Sequence, residues 1–174
     1  MKAAQKVRGP GTPKLTFIYT SGTWVHGSDT THTVSERAPV KNTVKLVQWR
    51  PAQENVVTSS TVVDGIVIRP SLLYGRSGSI IAFLFAEATQ AASQHRDLVW
   101  VGEKASRWTT IHADDLADAY LRIAEAAPIT KGLVFDIAND ATESVDDVLA
   151  NVARITGATG YEFRQPSNRE FFGP

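Results

Sequence analysis

The stretch Gly65–Gly78, GIVIRPSLLYGRSG, constrains the fold of this chain more than any other. Gly65-Ile66-Val67-Ile68 is a short apolar, β-branched run, the pattern of a strand covered on both faces of a parallel sheet. Arg69-Pro70 ends it, because proline has no N–H to give to a central ladder. The chain therefore leaves the sheet at the carboxyl end of the strand, where open α/β sheets place their ligand crevices. A tyrosine, an arginine and two glycines follow in Tyr74-Gly75-Arg76-Ser77-Gly78, before a helical pattern opens at Ser79. By composition alone this is a strand-to-helix connection; by position it is a candidate site.

The rest of the chain alternates in the same way. Lys14–Thr20 is a predicted strand that runs into Thr20-Ser21-Gly22-Thr23-Trp24-Val25-His26-Gly27, where hydroxyls crowd a glycine turn. Residues 28–42 are polar and without a period, which predicts a surface excursion. Val44–Val57 has a helical pattern around Pro51, a residue tolerated at the first position of a helix. Ser79–Ser93 predicts a buried helix and Asp97–Val101 a short strand. Arg107–His112 reads as the entry to a helix in which Leu116, Ala119, Tyr120 and Ile123 share a face, with Asp114 and Asp115 at its positive end. Gly132–Ile137 is a further strand. Ser144-Val145-Asp146-Asp147 resembles a capping box with Asp in place of Glu, ahead of a stripe of Val148, Leu149, Val152 and Ile155 that stops at Gly157. Tyr161–Phe163 closes the series as a strand. Strands alternating with amphipathic helices predict an α/β fold.

Charge and cysteine content remove several function classes. Eighteen basic residues balance eighteen acidic ones, with no basic stripe to favour nucleic acid or a membrane surface. There is no cysteine, which excludes disulfides and thiolate metal sites, and the four histidines lack paired ligand spacing, so no metal is expected. The basic start, MKAAQKVRGPGTPK, has no apolar core of a signal peptide, and the apolar-rich run 80–92 is broken by Glu87, Thr89 and Gln90. A cytoplasmic location is the expectation.

Four blocks, TFIYTSGTWVHG, GIVIRPSLLYGRSGS, RWTTIHADDLADAYLRIAEA and GLVFDIAND, stand in the order and spacing of the NAD-dependent epimerase/dehydratase family, the extended short-chain dehydrogenase/reductases. The resemblance covers Leu15 to Gly157. It implies a partial Rossmann-like parallel sheet with flanking helices in a single NAD(P)-binding domain. Residues 14–70 would supply the second half of that sheet, and 71–174 the substrate-region segments and remaining sheet elements.

The chain departs from the family at two places. It has no glycine-rich turn between a first strand and helix to hold a pyrophosphate; its early glycines, Gly9 and Gly11, lie in a Pro-containing loop with no strand before them. It therefore resembles the family's C-terminal half. The family's Tyr-x-x-x-Lys aligns with Leu46 and Arg50, and its catalytic Ser/Thr position falls on Gly22, flanked by Ser21 and Thr23. Leucine cannot transfer a proton, and a guanidinium stays protonated.

Carried onto matching positions, the resemblance implies a catalytic set of Ser21, Thr23 and Arg50, and NAD or NADP held by Thr20, Arg69, Pro70, Ser71, Leu72 and Leu73. It implies a substrate region with Tyr74, Arg76, Trp108 and His112, where Arg76-Ser77-Gly78-Ser79 is able to present an anion site at a helix N-terminus. Each has a plainer reading: hydroxyls after a strand satisfy turn amides, Arg76 is a solvated cation, and His112 is structural. Three expectations stand side by side. One is the C-terminal half of an NAD(P)-dependent epimerase, dehydratase or reductase acting on a nucleotide-sugar or another small hydroxyl or carbonyl substrate, weakly active or inactive alone. Another is a non-catalytic relative that binds a ligand or a partner protein. The third is a variant enzyme in which Ser21, Thr23 or water replaces the tyrosine. A doubly wound sheet without its leading strands leaves an open edge, which predicts a homodimer or a complementing polypeptide.

Overall fold

The computed structural model describes residues 2–8, 11–29, 31–77, 79 and 81–165. Gly9, Gly78 and residue 80, which enter expectations above, lie outside the described residues. In chain order the elements are α1 (Lys2–Arg8), β1 (Thr16–Thr20), α2 (Arg50–Thr58), β2 (Asp64–Pro70), β3 (Leu72–Tyr74), α3 (Ile81–Ser93), β4 (Leu98–Val101), β5 (Arg107–His112), α4 (Ala113–Glu125), α5 (Ala127–Thr130), β6 (Val134–Ile137), β7 (Thr142–Ser144), α6 (Val145–Thr156) and β8 (Tyr161–Arg164). Among the described residues the chain forms two compact units: residues 2–71 with 115–137, and residues 72–114 with 138–165.

The first unit is built on a parallel sheet of order β1-β2-β6. The central strand is the one its apolar run predicts: Ile66, Val67 and Ile68 are fully buried. It continues through Arg69 and Pro70 rather than stopping before them. Odd-numbered residues of β2 bond towards β6, as in Val67 N–H to Leu133 O and Ser71 N–H to Ile137 O, both about 3 Å by their 3.0 and 2.9 Å separations. Even-numbered residues face β1, which has ended by the level of Pro70, so the missing N–H breaks no ladder bond. Ile66, Ile68 and Ile123 form the core with Ile18, Leu116, Tyr120, Phe135 and Ile137 packed against them, so the predicted face of α4 is the buried one. Gly65 is required by close approach: a Cβ there would lie 2.0 Å from the carbonyl oxygen of Val57 at the end of α2. The predicted helix 44–57 is two pieces, a 3-10 turn at Lys45–Val47 and α2, with Pro51 in the first turn of α2 where its missing N–H has no intrahelical partner to lose. Among the described residues β1 pairs only with β2, and Leu15 and Phe17 beside its open edge are 39% and 38% exposed.

In the second unit, β3 and β5 pair in parallel, β5 and β7 antiparallel, and β4 and β8 in parallel. Two expectations are corrected here. Leu72–Tyr74 is a strand and not loop, and Arg107–His112 is a full strand rather than the entry of a helix. Arg107 to Thr110 alternate between exposed and covered positions, the period-2 signature that a reading focused on the following helix passes over. Leu84, Ala88, Leu98, Val145, Leu149 and Val152 make the core, with Trp100, Trp108, Val148, Tyr161 and Phe163 against it. Ser144 caps α6 by accepting the Asp147 N–H, and Gly157 ends it in the left-handed region at φ 82°. Ile155 departs from the predicted stripe: it is 63% exposed. No helix among the described residues is long and apolar enough to cross a membrane.

Candidate functional site

At the carboxyl end of the first unit's sheet, three strand ends and two helical segments converge on one arginine. Ser21 extends the β1 ladder by one bond, its N–H donating to Ile68 O at 2.7 Å, which carries its side chain inward. Arg69 stands opposite Asp136 across β2 and β6. Its guanidinium forks onto Glu54 of α2, with Nε 3.1 Å from Oε1 and Nη2 2.5 Å from Oε2. Nη1 reaches Asp136 Oδ1 at 3.5 Å. The other Asp136 oxygen accepts from His26 Nε2 at 2.8 Å. A carboxylate can only accept, so Nε2 carries the proton, and its 3.3 Å approach to Arg69 Nη1 is not a second hydrogen bond. Ser21 Oγ completes the set by donating to Glu54 Oε1.

Ser21, Glu54 and Arg69 are each at most 6% exposed. Burial works against the Arg69 charge, but hydrogen bonding and attraction from Glu54 and then Asp136 outweigh it and raise the guanidinium pKa. His26 Nδ1 is buried without a partner. The network ties the ends of β1, β2 and β6 to α2 and to the 3-10 turn Thr23–His26. Within it the Ser21 hydroxyl is held as a donor to a carboxylate whose two oxygens already accept from Arg69.

Around the network lie the other residues singled out from sequence. Gly22 has extended backbone, and a Cβ there would sit 3.7 Å from Arg50 Nη1 and 3.8 Å from Pro70 O. Thr23 Oγ1 is 3.5 Å from the same carbonyl. Arg50 lies over the Trp49 ring at 5.3 Å, and its Nε is buried without a hydrogen-bond partner, as is Ser71 Oγ. Thr20 Oγ1 shares a short hydrogen bond with Tyr120 OH. Leu46, at the position of the family's tyrosine, is 56% exposed. Thr20, Ser21, Thr23, Arg50, Arg69, Pro70 and Ser71 therefore all belong to one unit, and five of them surround Gly22 or the buried network.

Leu72, Leu73, Tyr74, Arg76, Trp108 and His112 belong to the second unit. Tyr74 meets the His112 ring edge-on, centroids 5.2 Å apart. Asn139 Nδ2 donates to Thr110 Oγ1 at 3.2 Å and lies 3.4 Å from Tyr74 OH. Gly75, at φ 91°, admits the His112 ring where a Cβ would lie 2.3 Å from Nε2. Arg76 Nε donates to Asp114 Oδ1 at 2.6 Å, and that bond lowers the Asp114 pKa and raises that of Arg76. Trp108 packs against Trp100 and the core.

Sequence reasoning passed over Glu54, His26, Asp136 and Asn139. Glu54 and Val57 are the buried residues of α2, so the sign was a carboxylate on the apolar face of a short helix. Asp136 gave a second sign, an acid inside the apolar run Gly132–Ile137.

The family model described as NAD dependent epimerase/dehydratase family matches residues 11–138. No curated protein matches the sequence. Among solved structures, a dTDP-glucose 4,6-dehydratase from Bacillus anthracis in complex with NAD is similar over 87% of this chain and 50% of its own, at 17% identity and a TM-score of 0.72. A UDP-glucuronic acid 4-epimerase from Bacillus cereus in complex with NAD is similar over 95% of this chain and 53% of its own, at 17% identity and 0.69. A dTDP-4-dehydrorhamnose reductase from Clostridium acetobutylicum follows at 16% identity and 0.64, over 90% and 52%. The chain thus spans about half the length of these proteins, by the shares of 50%, 53% and 52%, and shares their Rossmann-like α/β fold. With a family model covering most of its length, the chain belongs to the NAD-dependent epimerase/dehydratase family.

Proposed function

We propose that this chain supplies the nicotinamide-facing and substrate-facing part of an NAD(P)-dependent epimerase, dehydratase or reductase acting on a nucleotide-sugar or another small hydroxyl or carbonyl substrate. On this reading it is weakly active or inactive alone. The observation that carries it is the convergence of Gly22, Thr23, Arg50 and Pro70 at the carboxyl end of the parallel sheet, where such sheets take their ligands. The buried, partnerless Nε of Arg50 fits a ligand there, and a dinucleotide with its nicotinamide end at this edge supplies hydride chemistry when bound. The fit is partial. Thr20, Arg69 and Leu72–Leu73 belong to the same proposed cofactor-facing set, but among the described residues no strand followed by a glycine-rich turn offers amides to the pyrophosphate. Leu46 has no proton to exchange, and in the third reading Ser21, Thr23 or water takes that role; the Ser21 bond to Glu54 speaks against Ser21 within it. The substrate side of the reading rests on Tyr74, Arg76, Trp108 and His112. The edge of β1 that pairs with no other described strand favours assembly with a second copy or a complementing polypeptide.

A non-catalytic ligand-binding or interaction role is the second reading, favoured by the leucine at position 46. Calorimetric titration of the full chain with NADH and NADPH, after a cooperative melt, separates the two. Micromolar binding of either cofactor is the expected result for the enzyme reading. A well-folded chain that binds neither leaves the non-catalytic one.

A further inference from the structure

Arg50 is a half-buried cation with no counter-ion among the described residues, and the reason is visible on its own helix. Residues four apart on a helix face each other, so Arg50 and Glu54 would ordinarily pair. Glu54 is not available: one oxygen accepts from Ser21 and Arg69, the other from Arg69. Arg50 is left against the Trp49 ring, 5.3 Å from its centroid, with Nε out of reach of water and of any acceptor. Holding a charge half out of water without a counter-ion is unfavourable, and an anion beside Nη1, on the Gly22 side, reverses that.

The ground beside the guanidinium is kept clear. Position 22 is glycine although its extended backbone, φ 176°, suits any residue. A side chain there would start in van der Waals contact with Arg50 Nη1, at 3.7 Å, and occupy the space beside the guanidinium. The Pro70 carbonyl borders the same point, and the next residue, Ser71, is 6% exposed with a hydroxyl that has no partner. Guanidinium donors in a planar fork match the two oxygens of a carboxylate or phosphoryl group better than any neutral acceptor.

We infer that Arg50, with the space left by Gly22, is an oxyanion-binding site that takes the carboxylate or phosphoryl group of a small ligand. The inference goes beyond the cofactor reading and does not depend on it, because small anions test it without a dinucleotide. Trp49 provides the signal. Sodium phosphate and sodium acetate are titrated separately into the full chain at constant ionic strength, with sodium chloride as the reference and Trp49→Phe identifying the Trp49 contribution to the emission. A saturable change with phosphate or acetate beyond that with chloride is expected, weakened at least about tenfold in Arg50→Gln and less in Arg50→Lys. Preference for phosphate assigns a phosphoryl-bearing ligand, and preference for acetate a carboxylate. Should the variants fail to fold, the Arg50 Nε–H resonance of the unmodified chain reports directly: it shifts on anion addition. A response equal to that of chloride, an Arg50→Gln chain that binds as before, or an unmoved Nε–H resonance overturns the site.

Discussion

Two arginine–carboxylate contacts, one in each unit, have nearly the same length and opposite surroundings. Arg69 and Glu54 meet at 2.5 Å with both side chains 5% exposed; Arg76 and Asp114 meet at 2.6 Å with side chains 71% and 54% exposed. Both bonds raise the pKa of their arginine. The difference teaches that length does not set the energy of an ion pair. In water the Arg76 pair exchanges one set of good contacts for another, whereas each partner of the buried pair depends on the other to remain charged. Arg69 also answers to Asp136, so removing the arginine takes the cation from two carboxylates at once and leaves Glu54 with Ser21 and Asp136 with His26 as donors.

The largest expected effect follows from that. Arg69→Met should destabilise the chain by about 3–5 kcal/mol in urea unfolding, because Glu54 and Asp136 lose their shared cation while still buried. Adding Glu54→Leu should recover part of the loss, since an apolar pair leaves fewer charges without partners. A single Arg69→Met variant as stable as the parent chain would break the comparison, and the network would then be no more than a surface pair in disguise.

A smaller effect is expected on the other side. Arg76→Met should leave stability almost unchanged, and about 1 M salt should remove most of any difference, because exposed charges are screened over a few ångströms at such ionic strength. The same salt should leave the Arg69 penalty nearly intact. Measured by urea unfolding with and without salt, equal salt sensitivity of the two variants would contradict the assignment of one pair to the interior.

What could be read from the sequence follows the range over which each feature is determined. The β2 core, Ile66 to Ile68, and the two ends of α6 at Ser144 and Gly157 were legible because a few neighbouring residues decide them: β-branched runs make strands, a serine accepts an early helix N–H, a glycine adopts positive φ. The strand at Arg107–His112 was not, because its pairing partners β3 and β7 are far away along the chain and the strong helix signal just after it drew its residues into the helix. The candidate site divides in the same way. Gly22, Arg50 and Pro70 stand out by motif, and a Cβ at position 22 would meet both Arg50 Nη1 and the Pro70 carbonyl. Glu54 and His26 were missed because their importance arises only when α2 and the 3-10 turn close on Arg69, across separations of 15 and 43 residues.

The smallest effect separates a pKa from a stability. Asp29, in the polar excursion of the first unit, accepts from the N–H groups of Thr31 and His32 at 2.8 and 2.9 Å and from the Thr31 hydroxyl at 2.9 Å. Those bonds, the Thr31 backbone foremost, lower its pKa from 3.8 to about 2. The sign follows from linkage: a depressed carboxyl stabilises the turn fully above its unfolded value of 3.8 and loses that contribution as the pH falls through about 2. Because the group is at the surface, the turn should loosen locally while the sheet and the Arg69 network stay folded. Carboxyl carbon NMR of Asp29 should titrate with a midpoint near 2, accompanied by faster amide exchange at Thr31 and His32 only. In Asp29→Asn the amide oxygen still accepts from the turn, so those amides should stay protected and lose their dependence on pH over the same range. A midpoint at the ordinary 3.8, or exchange spreading to β1 and β2 as Asp29 is protonated, would mean that exposure does not isolate a charged contact.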